Sequence, residues 1–167
     1  VVDSRGTATG VEQGSDPVRS DVLTFQTEPL DDELEVTGPV TVTLYAATSA
    51  RDTDFTAKLL DVYPDGRAYN LVDGIIRARY RNSFEEQELT EPGMVYEYTI
   101  DLWATSNVFK KGHRVRVDIS SSNFPRFNRN PNTGNDFGIS DEWNTADQTI
   151  YHDSDRPSHV TLPVIPR

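Results

Sequence analysis

The sequence predicts an all-β sandwich, and three observations carry that prediction. Apolar residues recur with period two in run after run, Gly, Pro and Asp cluster between the runs, and no long stretch places apolar residues at helical spacing. Alternation puts successive side chains on opposite faces of a pleat, so each run reads as a strand with one buried face. About eight or more short antiparallel strands in two sheets follow, and a jelly roll is the expected arrangement because it buries two sheet faces against each other and leaves long loops at the ends.

In chain order, 22–26 is a short candidate strand. Val40, Val42, Leu44 and Ala46 then alternate with Thr41, Thr43 and Tyr45, after a bend expected at Gly38-Pro39. Residues 55–62 and 68–80 flank Tyr63-Pro64-Asp65-Gly66-Arg67, a hairpin signal in which Pro presets the first turn angle and Gly accepts positive φ. The second of these strands is expected to break at Gly74, and 83–89 to form a turn or two of helix. After Glu91-Pro92-Gly93, the residues Tyr96, Tyr98, Ile100 and Leu102 share one side. Lys110-Lys111-Gly112 leads to Val115, Val117 and Ile119 alternating with Arg114, Arg116 and Asp118. Residues 149–151 and the run Val160, Leu162, Val164 complete the set.

Two segments break the pattern. Residues 1–16, rich in Gly, Thr, Ser and Asp, read as a lead-in from an absent upstream domain, leaving 17–167 as the folded unit. Residues 120–144 form a long irregular stretch, and loops of this length in compact domains are commonly functional. Phe124 and Phe127, flanking Pro125-Arg126, are too apolar for a freely solvated tip. Met94 is the single methionine, so Val1 is not a translation start and the chain is expected to be cut from a longer polypeptide.

Composition narrows the function classes. The chain has 167 residues, of which 35% are hydrophobic and 26% charged, enough apolar material for a core, since a domain near this size buries roughly 70% of its unfolded surface. Sixteen Lys and Arg stand against 27 Asp and Glu, a net charge of -11. So acidic a surface repels phosphate backbones and anionic lipid heads, which disfavours nucleic-acid and membrane partners. No apolar run approaches a membrane span or a signal sequence, and the reading is of a soluble domain. The chain contains no Cys, which excludes disulfides, thiol nucleophiles and zinc-thiolate sites.

Catalytic chemistry is sparse. There is no G-x-S-x-G elbow. His113, His152 and His159 read as surface or hydrogen-bonded structural residues. Asp52-Thr53-Asp54, with Asp61 and Asp65 nearby, offers oxygens for calcium or an Asp–Arg pair with Arg114, Arg116 or Arg126 as partner. Trp103, Trp143, Tyr63 and Tyr69 are candidates for a sugar platform. A carbohydrate- or calcium-binding β-sandwich module is therefore the alternative reading. On the residues themselves, no catalytic site, resident metal or cofactor is assigned.

Several stretches read together resemble one family. They include D-V-L-T-F-Q-T-E-P-L from Asp21, D-T-D-F-T-A-K-L from Asp52, D-V-Y-P-D-G-R from Asp61 and G-I-I-R-A-R-Y-R from Gly74. Further on stand A-T-S-N-V-F-K-K-G-H-R from Ala104, S-S-S-N-F-P-R-F from Ser120 and R-N-P-N-T-G from Arg129. This order resembles the C-terminal domain of the cocaine esterase / X-Pro dipeptidyl-peptidase family of α/β serine hydrolases. The resemblance implies a galactose-binding-like jelly roll that packs on an upstream α/β-hydrolase domain holding the catalytic triad. It implies small ester or peptide substrates, reached through that domain, with self-association into a homo-oligomer left open. Phe124, Pro125, Arg126, Phe127 and Arg129 are then expected to meet the catalytic domain, with both arginines making charge-assisted bonds there. Thr7, Ala8, Thr9 and Gly10 are expected to wall its substrate pocket.

Overall fold

The computed structural model describes residues 11–12, 21–136 and 141–166. Among them nine strands form two antiparallel sheets, in chain order β1 (Val11–Glu12), β2 (Leu23–Gln26), β3 (Leu34–Thr48), β4 (Asp54–Val62), β5 (Ala68–Arg77), β6 (Tyr96–Phe109), β7 (Arg114–Ser120), β8 (Gln148–Tyr151) and β9 (His159–Thr161). One sheet runs β1-β5-β4-β7-β2; the other runs β6-β3-β8, with β9 also on β3. The chain is an all-β sandwich, as its periodicity requires. The pairings β4–β5, β3–β6 and β2–β7 are nested about the hairpin turn at Tyr63–Arg67.

The alternating residues make the core. Val36, Val40, Val42, Leu44 and Ala46 of β3 and Tyr98, Ile100 and Leu102 of β6 face Phe55, Ala57 and Leu59 of β4 and Val115 and Ile119 of β7. Phe55 and Tyr98 meet across the sheets with ring centroids 4.7 Å apart. The Tyr98 hydroxyl is buried and has no hydrogen-bond partner among the described residues; burial raises its pKa above the ordinary tyrosine value.

Three expectations change. Gly38-Pro39 does not precede β3 but lies within it. Gly38 takes φ +136°, and the ladder to β6 shifts register between Pro39 and Thr41, a place where a strand tolerates proline's missing N–H. On the opposite side of that bulge Trp103 adopts φ +65°, its N–H bonded to Asp101 Oδ1 at 2.7 Å. Gly74 does not break β5. It lets β6 approach: a Cβ there would lie 2.0 Å from the Asp101 carbonyl oxygen. Residues 83–89 form bends rather than helix, with Ser83 Oγ accepting from the N–H groups of Glu85 and Glu86 at 3.1 Å each. Helical geometry is found instead in one 3-10 turn at Ala78–Tyr80. The segment 1–16 is described only at Val11–Glu12, which pair with Asn70 and Tyr69.

Candidate docking surface

The outer face of the five-stranded sheet carries a polar ladder. Strand register sets Thr24, Asp118, Lys58 and Asp73 side by side across β2, β7, β4 and β5. Arg116 donates to both Asp118 oxygens at 2.7 and 2.9 Å, and Thr24 Oγ1 adds a bond of 2.9 Å. Burial lowers the Lys58 pKa, Arg126 pushes the same way, and Asp118 opposes both. Asp73 is 5% exposed; it ion-pairs with Arg126 and accepts from Asn123 Nδ2 at 2.6 Å.

At the end of the β4–β5 hairpin stands a second set of buried ions. Asp54, directly opposite Arg77, takes a bidentate bond from it at 2.7 and 3.0 Å. Asp52 accepts from the Arg79 backbone N–H at 3.0 Å and from its Nε at 2.8 Å. The remaining Arg79 nitrogens reach Gln87 Oε1 at 2.9 Å and the Asn135 carbonyl at 3.0 Å. Asn130 Nδ2 then bridges Asp52 and Asp54 at 2.9 and 3.0 Å. Two buried carboxylates this close are tolerable because each has its own guanidinium and both share a donor. The partners expected from sequence were Arg114, Arg116 and Arg126; the structure corrects them to Arg77 and Arg79, because antiparallel register brings β5 alongside β4.

Asn123, Arg126 and Asn130 thus pin the long loop across the sheet face, and this leaves its apolar tip outside. Phe124 is 65% exposed and Trp143 57%. The Arg129 guanidinium lies 5.7 Å from the Phe124 ring and 5.0 Å from the Trp143 ring, a cation held between two aromatic faces. Pro125 is exposed and Phe127 half-buried, with the Arg126 guanidinium 5.4 Å from the Phe127 ring. Arg126, expected to bond a neighbouring domain, is engaged by Asp73 of its own sheet. Trp143 falls within the irregular stretch 120–144 but reads in the sequence as a sugar-platform candidate; 14 positions separate it from Arg129, and the fold brings the two together. Thr7, Ala8, Thr9 and Gly10 lie outside the described residues.

The other candidates are occupied differently. His113 Nδ1 lies 2.8 Å from Asp61 Oδ1, with the Tyr63 ring 4.3 Å away. His152 packs edge-on to Phe25 at 5.8 Å, and His159 Nδ1 bonds the Pro157 carbonyl at 2.7 Å. Tyr63 and Tyr69 pair with each other at 5.0 Å; no ring contact among the described residues joins them to Trp103 or Trp143. No group of three or more acidic or histidine side chains suited to a metal occurs among the described residues.

Asp52, Asp54 and Asp73 hold one loop through Asn123, Arg126 and Asn130, and its aromatic–cation tip is turned outward, the geometry of an accessory β-sandwich. Comparison with known proteins agrees. The chain belongs to the family of X-Pro dipeptidyl-peptidase C-terminal non-catalytic domains, which matches residues 3–161. It is 52% identical over 151 residues to a cocaine esterase of Rhodococcus sp. (strain MB1 Bresler), covering 89% of this chain and 26% of that protein. Among solved structures, an aminopeptidase from a marine sediment archaeon (Thaumarchaeota) superposes with TM-score 0.88 at 33% identity, over 94% of this chain and 28% of that one. An α-amino acid ester hydrolase gives 0.84 at 36% identity, over 88% and 26%. The chain therefore spans about a quarter of the length of these relatives.

Proposed function

We propose that this domain supports the active-site domain of a longer serine hydrolase, of esterase or dipeptidyl-peptidase type, by docking on it through Phe124, Pro125, Phe127, Arg129 and Trp143. The observation that carries the reading is the Phe124–Arg129–Trp143 cluster, exposed on a loop that its own sheet holds in place. Leaving large apolar side chains in water forgoes roughly 1.5–3 kcal/mol each relative to full burial, and a pre-anchored loop loses little entropy on docking. The nested strand pairing supports a jelly roll as the scaffold. Catalytic serine, base and oxyanion hole belong in this reading to the upstream domain. By the family resemblance, small esters or peptides are the substrates, and Thr7, Ala8, Thr9 and Gly10 contribute to the pocket wall.

The test uses the parent-length enzyme. Phe124→Ala with Trp143→Ala speeds proteolytic release of the C-terminal domain by about tenfold if docking is lost, whereas Thr99→Ala on the opposite sheet does not. Equal release rates overturn the docking assignment. The 167-residue chain alone is expected to give no turnover of a p-nitrophenyl ester.

A further inference from the structure

The hairpin joining β4 to β5 is built around an Asp-Gly pair. The sequence holds two such pairs, Asp65-Gly66 and Asp73-Gly74, and no Asn-Gly. An Asp-Gly bond isomerises with no reagent but water. The Gly nitrogen attacks the side-chain carboxyl carbon of Asp, an N–C bond forms, the carboxyl hydroxyl leaves as water, and a five-membered succinimide closes. Water then adds to one of the two ring carbonyls, and opening at the main-chain carbonyl leaves isoaspartate. Gly favours closure because it carries no Cβ to crowd the ring and accepts unusual backbone angles.

The two pairs differ in what they permit. Asp73 is buried, and Arg126 and Asn123 take up its carboxylate. Gly74 lies mid-strand opposite Ala57, with the Asp101 carbonyl so close that there is no room even for a Cβ. A ring cannot close in main chain so enclosed. Asp65 and Gly66 instead lie outside the β4–β5 ladder, which ends at Val62 and Ala68. The Asp65 side chain is 54% exposed, and Gly66 takes φ +90°. What restrains this pair is Arg67. Its N–H donates to Asp65 Oδ1 at 3.1 Å and its Nε to Oδ2 at 2.8 Å. Arg67 is itself positioned, donating to the Tyr69 hydroxyl at 3.2 Å with its guanidinium 5.6 and 6.0 Å from the Tyr63 and Tyr69 rings. The attacking nitrogen is occupied as well, since the Gly66 N–H donates to the Tyr63 carbonyl at 2.9 Å. Closure has to break that bond and at least one of the Arg67 bonds. Loss of the hydroxyl also needs a protonated acid, and the Arg67 N–H, then its guanidinium, hold the Asp65 pKa below the ordinary carboxylate value against a desolvation that raises it.

We propose that Asp65 is a site of isoaspartate formation in this domain and that Arg67 sets its rate by clamping the carboxylate. The product keeps its mass but carries one extra methylene in the main chain. That methylene falls between Tyr63 and Arg67, whose main chains bond at 2.8 Å, in the turn that joins β4 to β5. The hairpin lies at the far end of β4 from Asp54, which Asn130 ties to the docking loop, so the inference stands apart from the docking reading.

Ageing of the parent-length protein at neutral pH tests it. Isoaspartate is counted by methyl transfer from S-adenosylmethionine through an isoaspartate-specific carboxyl methyltransferase and located by peptide mapping. It is expected to accumulate at Asp65 ahead of Asp73, and Arg67→Gln is expected to raise the rate at Asp65 about fivefold, the upper end for an exposed charged pair. Hydrogen exchange at the Tyr63 amide, which donates to the Arg67 carbonyl, shows whether the hairpin itself has opened, and its protection is expected to match the wild type in Arg67→Gln. Equal rates with and without Arg67 overturn the clamp, and isomerisation at Asp73 as fast as at Asp65 overturns the site. Acceleration accompanied by loss of Tyr63 protection also overturns the clamp, because it makes opening of the hairpin the cause.

Discussion

Arg79 is 2% exposed and makes bonds through its backbone and three side-chain nitrogens. Lysine would keep the charge but not the fork, so Arg79→Lys is expected to destabilise the fold by about 2–4 kcal/mol, approaching the cost of breaking a buried pair. A urea titration reads it, and a change in unfolding free energy under a tenth of that range contradicts the role given to the fork. Tyr98 works in the other direction. Its hydroxyl is buried without a partner among the described residues, so Tyr98→Phe is expected to be neutral or stabilising. Because burial raises its folded pKa above the ordinary tyrosine value of 10.0, the fold favours the protonated phenol, and this group's effect on stability is constant below pH 10 and becomes less favourable as pH rises beyond it. Wild-type stability therefore falls above pH 10 more steeply than that of Tyr98→Phe, as melts across that range will show. Parallel curves would refute the assignment.

At the scale of elements, close backbone approach decides more than side-chain choice. Gly74→Ala drives a Cβ to 2.0 Å from the Asp101 oxygen, and backbone on both sides has little room to yield. A loss of about 3 kcal/mol, at the upper end for overpacking, is expected in denaturant unfolding; unchanged stability would mean β5 and β6 separate easily. The strand faces were legible, since Val42, Leu44, Ile100 and Leu102 lie inside as period two demands. The length of β6 was not. Ala104–Phe109 lacks clean alternation because the bulge at Trp103 resets the register of the strand. Gly38 and Pro39 read locally as a bend, and the pairing with β6 overrides that tendency. Ser83 with Glu85 and Glu86 reads locally as a helix start, but the segment has no apolar face to pack and stays a set of bends.

For the whole molecule, the proposed function divides labour between this sandwich and an upstream catalytic domain. If Thr7, Ala8, Thr9 and Gly10 wall the substrate pocket as proposed, replacing them with bulkier residues in the parent enzyme lowers kcat/KM for long acyl groups relative to short ones. A lost contact or clash of about 1.4 kcal/mol is tenfold in that ratio. Identical ratios across an acyl series would remove these four residues from the pocket.

The sequence by itself determined the all-β class, the inward faces of most strands, the hairpin turn and, through its motif strings, the family. Those features are local, or are written as ordered strings that need no partner to be read. Tertiary structure decided which arginines neutralise Asp52 and Asp54, where Arg126 goes, and that Trp143 stands beside Arg129. The hairpin signal at Tyr63–Arg67 held only part of the clue: counting back from the Val62–Ala68 pair sets Ile76 opposite Asp54, and the bulge between Leu59 and Leu60 shifts the register by one to put Arg77 there. The rest had no such clue, because each contact joins segments far apart in sequence, and only the register between strands chooses among many ions of the right charge.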